Sequence, residues 1–185
     1  QTANFKTNSK IPIYNIKKGL NSNLPVDIAV TSTEEAAADF HSRYSSKEKL
    51  YRYTILNRDE RSPLLRRRSA FIPYRLDVRG MRNAAVFLKG KKDFRAFKAS
   101  EKKIKNCVRT ISRLDINQKD KIIDIFIQAD GFLYNMVRAI AGCLIAVGLG
   151  RRPAGWVSDV LEARDRTQGG ENAPARGLTL VEAIY

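Results

Sequence analysis

Apolar and polar residues alternate along residues 108–116 and again along 121–128, which predicts two strands joined in a hairpin about Asn117-Gln118-Lys119-Asp120. Residues 49–56 alternate as well, with Tyr51, Tyr53 and Ile55 on one face and Arg52, Thr54 and Leu56 on the other. Shorter runs at 2–6, 27–32 and 179–184 read as further strands. Elsewhere the repeat lengthens to that of a helix. Met81, Ala84, Ala85 and Leu88 line one side of 78–88, and Leu133, Met136, Val137, Ile140 and Leu144 line one side of 131–150. Residues 12–20, closed by Gly19 and the Asn21-Ser22-Asn23 cluster, and residues 154–163 read as two more helices. Residues 59–68 form a basic loop around Pro63, and 93–105 an irregular, lysine-rich connection. This order predicts an α+β fold, a mostly antiparallel sheet with helices packed on one side.

One residue breaks the pattern. The stretch 131–150 is apolar nearly all round, yet it carries Arg138 in its middle as its single charge. An ionised group in apolar surroundings is costly unless it is paired. The stretch is short for a membrane span, its charge is central and glycines dilute it, so it reads as a core helix and no membrane association is expected. Two readings of Arg138 follow. It snorkels to an edge or pairs with a surface carboxylate such as Asp165, or it is kept for a functional partner.

Composition narrows the partner. With 43% hydrophobic and 29% charged residues in 185, the chain is globular and large enough for a real core. Its net charge is +15, and residues 41–105 hold twenty basic groups against six acidic ones. Residues 1–40 hold four of each, and residues 106–185 hold ten and nine. Concentration of the excess in one third of the chain favours a polyanion partner over general solubility, with a solvated basic face as the alternative. Cys107 and Cys143 lack metal-ligand spacing and read as buried free thiols in a reducing, cytoplasmic compartment. The single histidine, His41, excludes a multi-histidine zinc site and argues against a Ser-His-Asp triad. Gly169-Gly170 and Gly177 have no phosphate-loop spacing, so neither a cofactor nor a metal is expected.

Two segments have the chemistry to meet a polyanion. Phe40, His41, Ser42, Arg43 and Tyr44 place an arginine and a histidine between aromatic rings, a combination that can bind phosphate and stack a base. The alternative for this segment is a strand edge with Phe40 and Tyr44 in the core. Lys102, Lys103 and Lys105 form a second cluster, suited to backbone contacts that carry no sequence information.

Taken in order, these segments resemble the tRNA pseudouridine synthases of the TruA type. The resemblance runs through Asn23-Leu24-Pro25-Val26-Asp27-Ile28, Phe40-His41-Ser42-Arg43-Tyr44 and Lys49-Leu50-Tyr51-Arg52-Tyr53. It continues through Asp93-Phe94-Arg95-Ala96-Phe97 and Phe132-Leu133-Tyr134-Asn135-Met136-Val137-Arg138. Asp165-Arg166-Thr167, Ala173-Pro174-Ala175 and Gly177-Leu178-Thr179-Leu180 complete it.

The resemblance implies a pseudouridine-synthase-like fold and an enzyme that isomerises uridine to pseudouridine in the anticodon stem-loop of tRNA, at positions 38 to 40, without cofactor or catalytic metal. It implies that Arg138 pairs with a catalytic aspartate, that Tyr51 packs against the target base, and that Phe40–Tyr44 and the Glu101 to Lys105 segment touch the tRNA. It further implies a homodimer for the full-length protein. The family's aspartate belongs to an R-T-D-x-G-V-H-A motif, and no aspartate here matches it. The expectation is therefore a fragment, inactive alone, with residues 1–38 the remnant of an N-terminal domain and 39–185 a C-terminal domain. Two alternatives stand beside it: a non-catalytic basic RNA-binding module, and an unrelated enzyme that uses Asp124 or Asp165 as its acid beside Tyr51.

Overall fold

The computed structural model describes residues 1–98 and 106–185. By internal packing the chain divides into two units, Thr2–Ser46 and Lys47–Tyr185.

In the smaller unit α1 (Ile13–Asn23) is the one helix among the described residues, and none of its side chains is buried. The expected strands at 2–6 and 27–32 do not form. A strand is stable only with a hydrogen-bonded neighbour, and these residues find none. Instead Asn21 grips the second segment: its side chain accepts from the Val30 amide at 2.7 Å and donates to the Val30 carbonyl at 3.0 Å. Val26 and Ile28 remain exposed, as does Phe5.

The larger unit is built on β1 (Glu48–Asn57), β2 (Ala70–Ile72), α2 (Val78–Val86), β3 (Gly90–Asp93), β4 (Val108–Lys119) and β5 (Ile122–Ala129). They are followed by α3 (Met136–Gly148), α4 (Trp156–Ala163) and β6 (Leu178–Ile184). The sheet runs β2-β1-β5-β4-β3, with β6 also pairing β1. Only the short β1–β2 pair is parallel among the described strands. This is the α+β fold expected from the pattern.

Burial alternates strictly along β5. Ile123, Ile125, Ile127 and Ala129 are buried, whereas Ile122, Asp124, Phe126 and Gln128 face the other way and are partly exposed. Register carries the alternation across the sheet, setting Tyr53 opposite Ile125 and Ile55 opposite Ile123. The helices cover that buried face, with α2 and α3 packed on each other and Met81, Met136 and Ile140 fully buried between the layers. The hairpin is tighter than expected: β4 continues to Lys119, and Asp120, with φ of +52°, turns the chain. Asn117, Gln118 and Lys119 are all exposed but still pair with Asp124, Ile123 and Ile122, so these polar residues belong to the strand rather than to a loop.

Candidate active site around Arg138

The apolar stretch 131–150 does not become helical at its first residue. Asn135 takes a left-handed conformation, φ +59°, and α3 begins at Met136. Arg138 therefore sits in the first helical turn rather than in the middle of a long helix. This is a correction with chemical weight. The first turn carries the positive end of the helix dipole, where a cation is disfavoured and an anion is favoured. A guanidinium placed there adds to the positive potential, and only an anion relieves it.

The protein holds Arg138 with neutral groups. Its Nε donates to the Ala173 carbonyl at 2.8 Å, and Nη1 donates to Asn135 Oδ1 at 3.1 Å. The Ala173 amide returns a bond to the Arg138 carbonyl at 3.0 Å. These bonds fix the plane of the guanidinium while leaving its charge uncancelled. Among the described residues no carboxylate forms an ion pair with it. Asp165, the surface carboxylate considered as its partner, is engaged elsewhere. It accepts from the Thr167 hydroxyl at 2.7 Å and amide at 2.9 Å, bonds that hold its carboxyl below the usual range.

Ala173 reaches Arg138 because the segment 170–173 runs as a strap along α3. Gly142 makes that approach feasible. A Cβ there would lie 1.8 Å from the Glu171 carbonyl oxygen, so any side chain would lift the strap off the helix. One residue further, the Pro174 carbonyl accepts from the Tyr53 hydroxyl at 2.7 Å, and Gly177 packs against the Tyr53 ring. Tyr53 is fully buried, and its phenol is pushed far up by desolvation, only partly offset by Arg138 and Arg176.

Tyr51 lies two residues before Tyr53 on the same face of β1. It is half-buried and packs edge-on to Phe132, with ring centroids 5.0 Å apart. Burial raises its pKa, so the phenol stays neutral at physiological pH. Phe132 belongs to the segment leading into α3, so the same short stretch that carries Arg138 also seats Tyr51.

The other expected contacts lie elsewhere. Phe40, His41, Ser42, Arg43 and Tyr44 belong to the smaller unit and form a turn, not a strand edge. Asn4 ties the turn down, donating to the Phe40 carbonyl at 3.3 Å and accepting from the Ser42 amide at 2.9 Å. His41 and Tyr44 rings stand 4.4 Å apart, Arg43 lies 5.7 Å over the Tyr44 ring, and Tyr44 is 76% exposed. The reading that buries Tyr44 in the core is thereby overturned. Lys102, Lys103 and Lys105 lie outside the described residues. Asp124 is on the face of the sheet opposite Tyr51, accepting from the Thr54 hydroxyl at 2.6 Å, so it is no acid for a site beside that tyrosine. Cys107 and Cys143 are buried, and neither is in a disulfide. Among the described residues no His, Cys, Asp and Glu group could hold a metal, and no helix is long and apolar enough to cross a membrane.

Pattern reading missed Asn135, Gly142, Ala173 and Tyr53 as parts of the site. Ala173 and Gly142 were visible as residues, but an approach spanning thirty-odd positions leaves no local signature.

An α+β sheet covered on one face by helices, with an arginine held by neutral acceptors in the first turn of α3 and Tyr51 packed edge-on to Phe132, fits the pseudouridine-synthase class of RNA-modifying isomerases. Comparison with known proteins agrees. Residues 84–185 match the family model described as tRNA pseudouridine synthase. A tRNA pseudouridine synthase A of Thermoanaerobacter sp. strain X514 is 46% identical over 185 residues, covering 100% of this chain and 76% of that protein. The enzymes of the same name from Acetivibrio thermocellus and Caldicellulosiruptor bescii are 44% and 40% identical over the same shares. The chain belongs to the tRNA pseudouridine synthase family.

Proposed function

We propose that Arg138 and Tyr51 form the arginine-and-aromatic half of a site that converts uridine to pseudouridine in the anticodon arm of tRNA. The reaction breaks the bond between N1 of uracil and the ribose C1′, turns the base and bonds C5 to C1′. The C5 proton is lost and N1 gains one. The observation that carries the proposal is the guanidinium of Arg138, fixed by Ala173 and Asn135 and matched by no carboxylate among the described residues.

An aspartate that must remain ionised as a nucleophile needs an opposed charge to depress its pKa. Arg138 supplies that charge in a set orientation, on a rigid helix. A base taken out of its stack loses stacking energy, and an aromatic face such as that of Tyr51 offsets part of the loss. The basic surplus of residues 41–105 supplies sequence-independent attraction for the RNA backbone. Phe40, His41, Ser42, Arg43, Tyr44, Lys102, Lys103 and Lys105 are the proposed tRNA contacts. The working enzyme is proposed to be a homodimer and, in keeping with two cysteines outside any disulfide, cytoplasmic. Because none of the described carboxylates reaches Arg138, the 185-residue chain alone is proposed to be inactive.

Mapping pseudouridine in tRNA from cells with and without this gene tests the reading. Loss confined to anticodon-arm uridines is expected. Unchanged modification there would contradict it, and turnover by the isolated chain would overturn the proposed inactivity.

A further inference from the structure

We propose a second RNA contact at the opposite end of α3, in the cleft between that end, α4 and the strap, where one ribonucleotide of the substrate RNA binds. The proposal rests on the RNA substrate inferred above and adds a site that the arginine-and-tyrosine pair does not need.

The cleft measures about 720 Å³, within the range of small-ligand sites. Arg151, Arg152, Trp156, Asp159, Gln168 and Gly169 are among the residues that line it. Arg151 and Arg152 are exposed, and neither forms an ion pair among the described residues. Arginines near a helix C-terminus are often accounted for by the last carbonyls. Here, among the described residues, no side-chain bond from either guanidinium reaches those carbonyls, which leaves their donors open to a ligand.

The wall beside them is aromatic. The Arg152 guanidinium lies 5.3 Å over the Trp156 ring, and the far edge of that indole packs against Gly170. A guanidinium layered on an indole is a platform on which a base stacks, and Arg151 beside it meets the phosphate. Asp159 sits on the α4 side of the cleft, is exposed and makes no ion pair among the described residues. A carboxylate repels phosphate but accepts a hydrogen bond from a ribose hydroxyl, so it sets the orientation and favours RNA over DNA. Ala146, on the cleft wall, is eight residues beyond Arg138, about 12 Å along the helix axis. That separation is within the reach of a few nucleotides of one RNA molecule.

Trp156 is the only tryptophan in the chain, so its fluorescence reports on this cleft alone. Titrating the protein with tRNA is expected to quench that emission in step with binding measured by filter retention. A DNA strand of matched sequence should quench far less. In R151A/R152A the quench should disappear, and the slope of log affinity against log salt should flatten by about 0.7, the value for the one phosphate on a single strand that Arg151 meets. Circular dichroism checks that the variant is folded. Retention of tRNA without quenching, or equal quenching by DNA, would overturn the proposal. So would full quenching by uridine monophosphate alone, which would mark a small-molecule pocket. Quenching by tRNA without any pseudouridine formed by the full-length enzyme would uphold this contact and reject the catalytic reading.

Discussion

At its N-terminal end α3 holds Arg138 with two fixed neutral acceptors, whereas beyond its C-terminal end the guanidinium groups of Arg151 and Arg152 stand exposed, with no ion pair among the described residues. The same functional group thus appears under opposite constraints. A guanidinium pinned at Nε and Nη1 has already lost its rotamer freedom and presents one fixed edge. It suits a single carboxylate that must stay in place through a reaction. Arg151, which no such bond pins, retains that freedom and can follow a flexible phosphate chain, giving up entropy only on binding, while Arg152 rests on the Trp156 ring. The two ends should therefore separate in experiment: one governs turnover, the other affinity.

The largest expected effect comes from breaking the fixed end. In the full-length enzyme, R138M should lower turnover by about 10²–10³-fold, the scale of removing one preorganised electrostatic interaction. Single-turnover pseudouridine formation measures it. G142A should come next, because its Cβ would fall 1.8 Å from the Glu171 carbonyl and displace the strap that fixes Arg138. We expect a loss of about 3 kcal/mol in urea unfolding, accompanied by reduced turnover. A variant of native stability would show that the strap is not held there. Y53F removes the hydroxyl bonded to Pro174 inside the core and should cost about 1 kcal/mol by the same measurement. At the free end, R151A/R152A should leave turnover at saturating tRNA nearly unchanged, which the same single-turnover assay checks.

Much of this frame was legible in the sequence, and the reasons differ by element. β1, β5 and α3 showed themselves because each buries one face against a large core, so the period of their apolar residues is the period of the element. The strands expected at 2–6 and 27–32 show the limit of that logic. Their alternation is present, but alternation describes a face, not a neighbour, and no described strand pairs with them. Arg138 stood out as a charge in an apolar run. What fixes it did not, because Ala173 lies 35 residues away and contributes only a backbone carbonyl. Nor did periodicity show that α3 starts at Met136, since the left-handed Asn135 interrupts the helix without interrupting the apolar run.

The salt dependence of tRNA binding by R138M in the full-length enzyme tests the central claim most directly. If Arg138 serves a protein carboxylate, the plot of log affinity against log salt should run parallel to that of the unaltered protein. A slope flattened by about 0.7, the value for a single phosphate, would show that Arg138 holds RNA instead and would contradict the account.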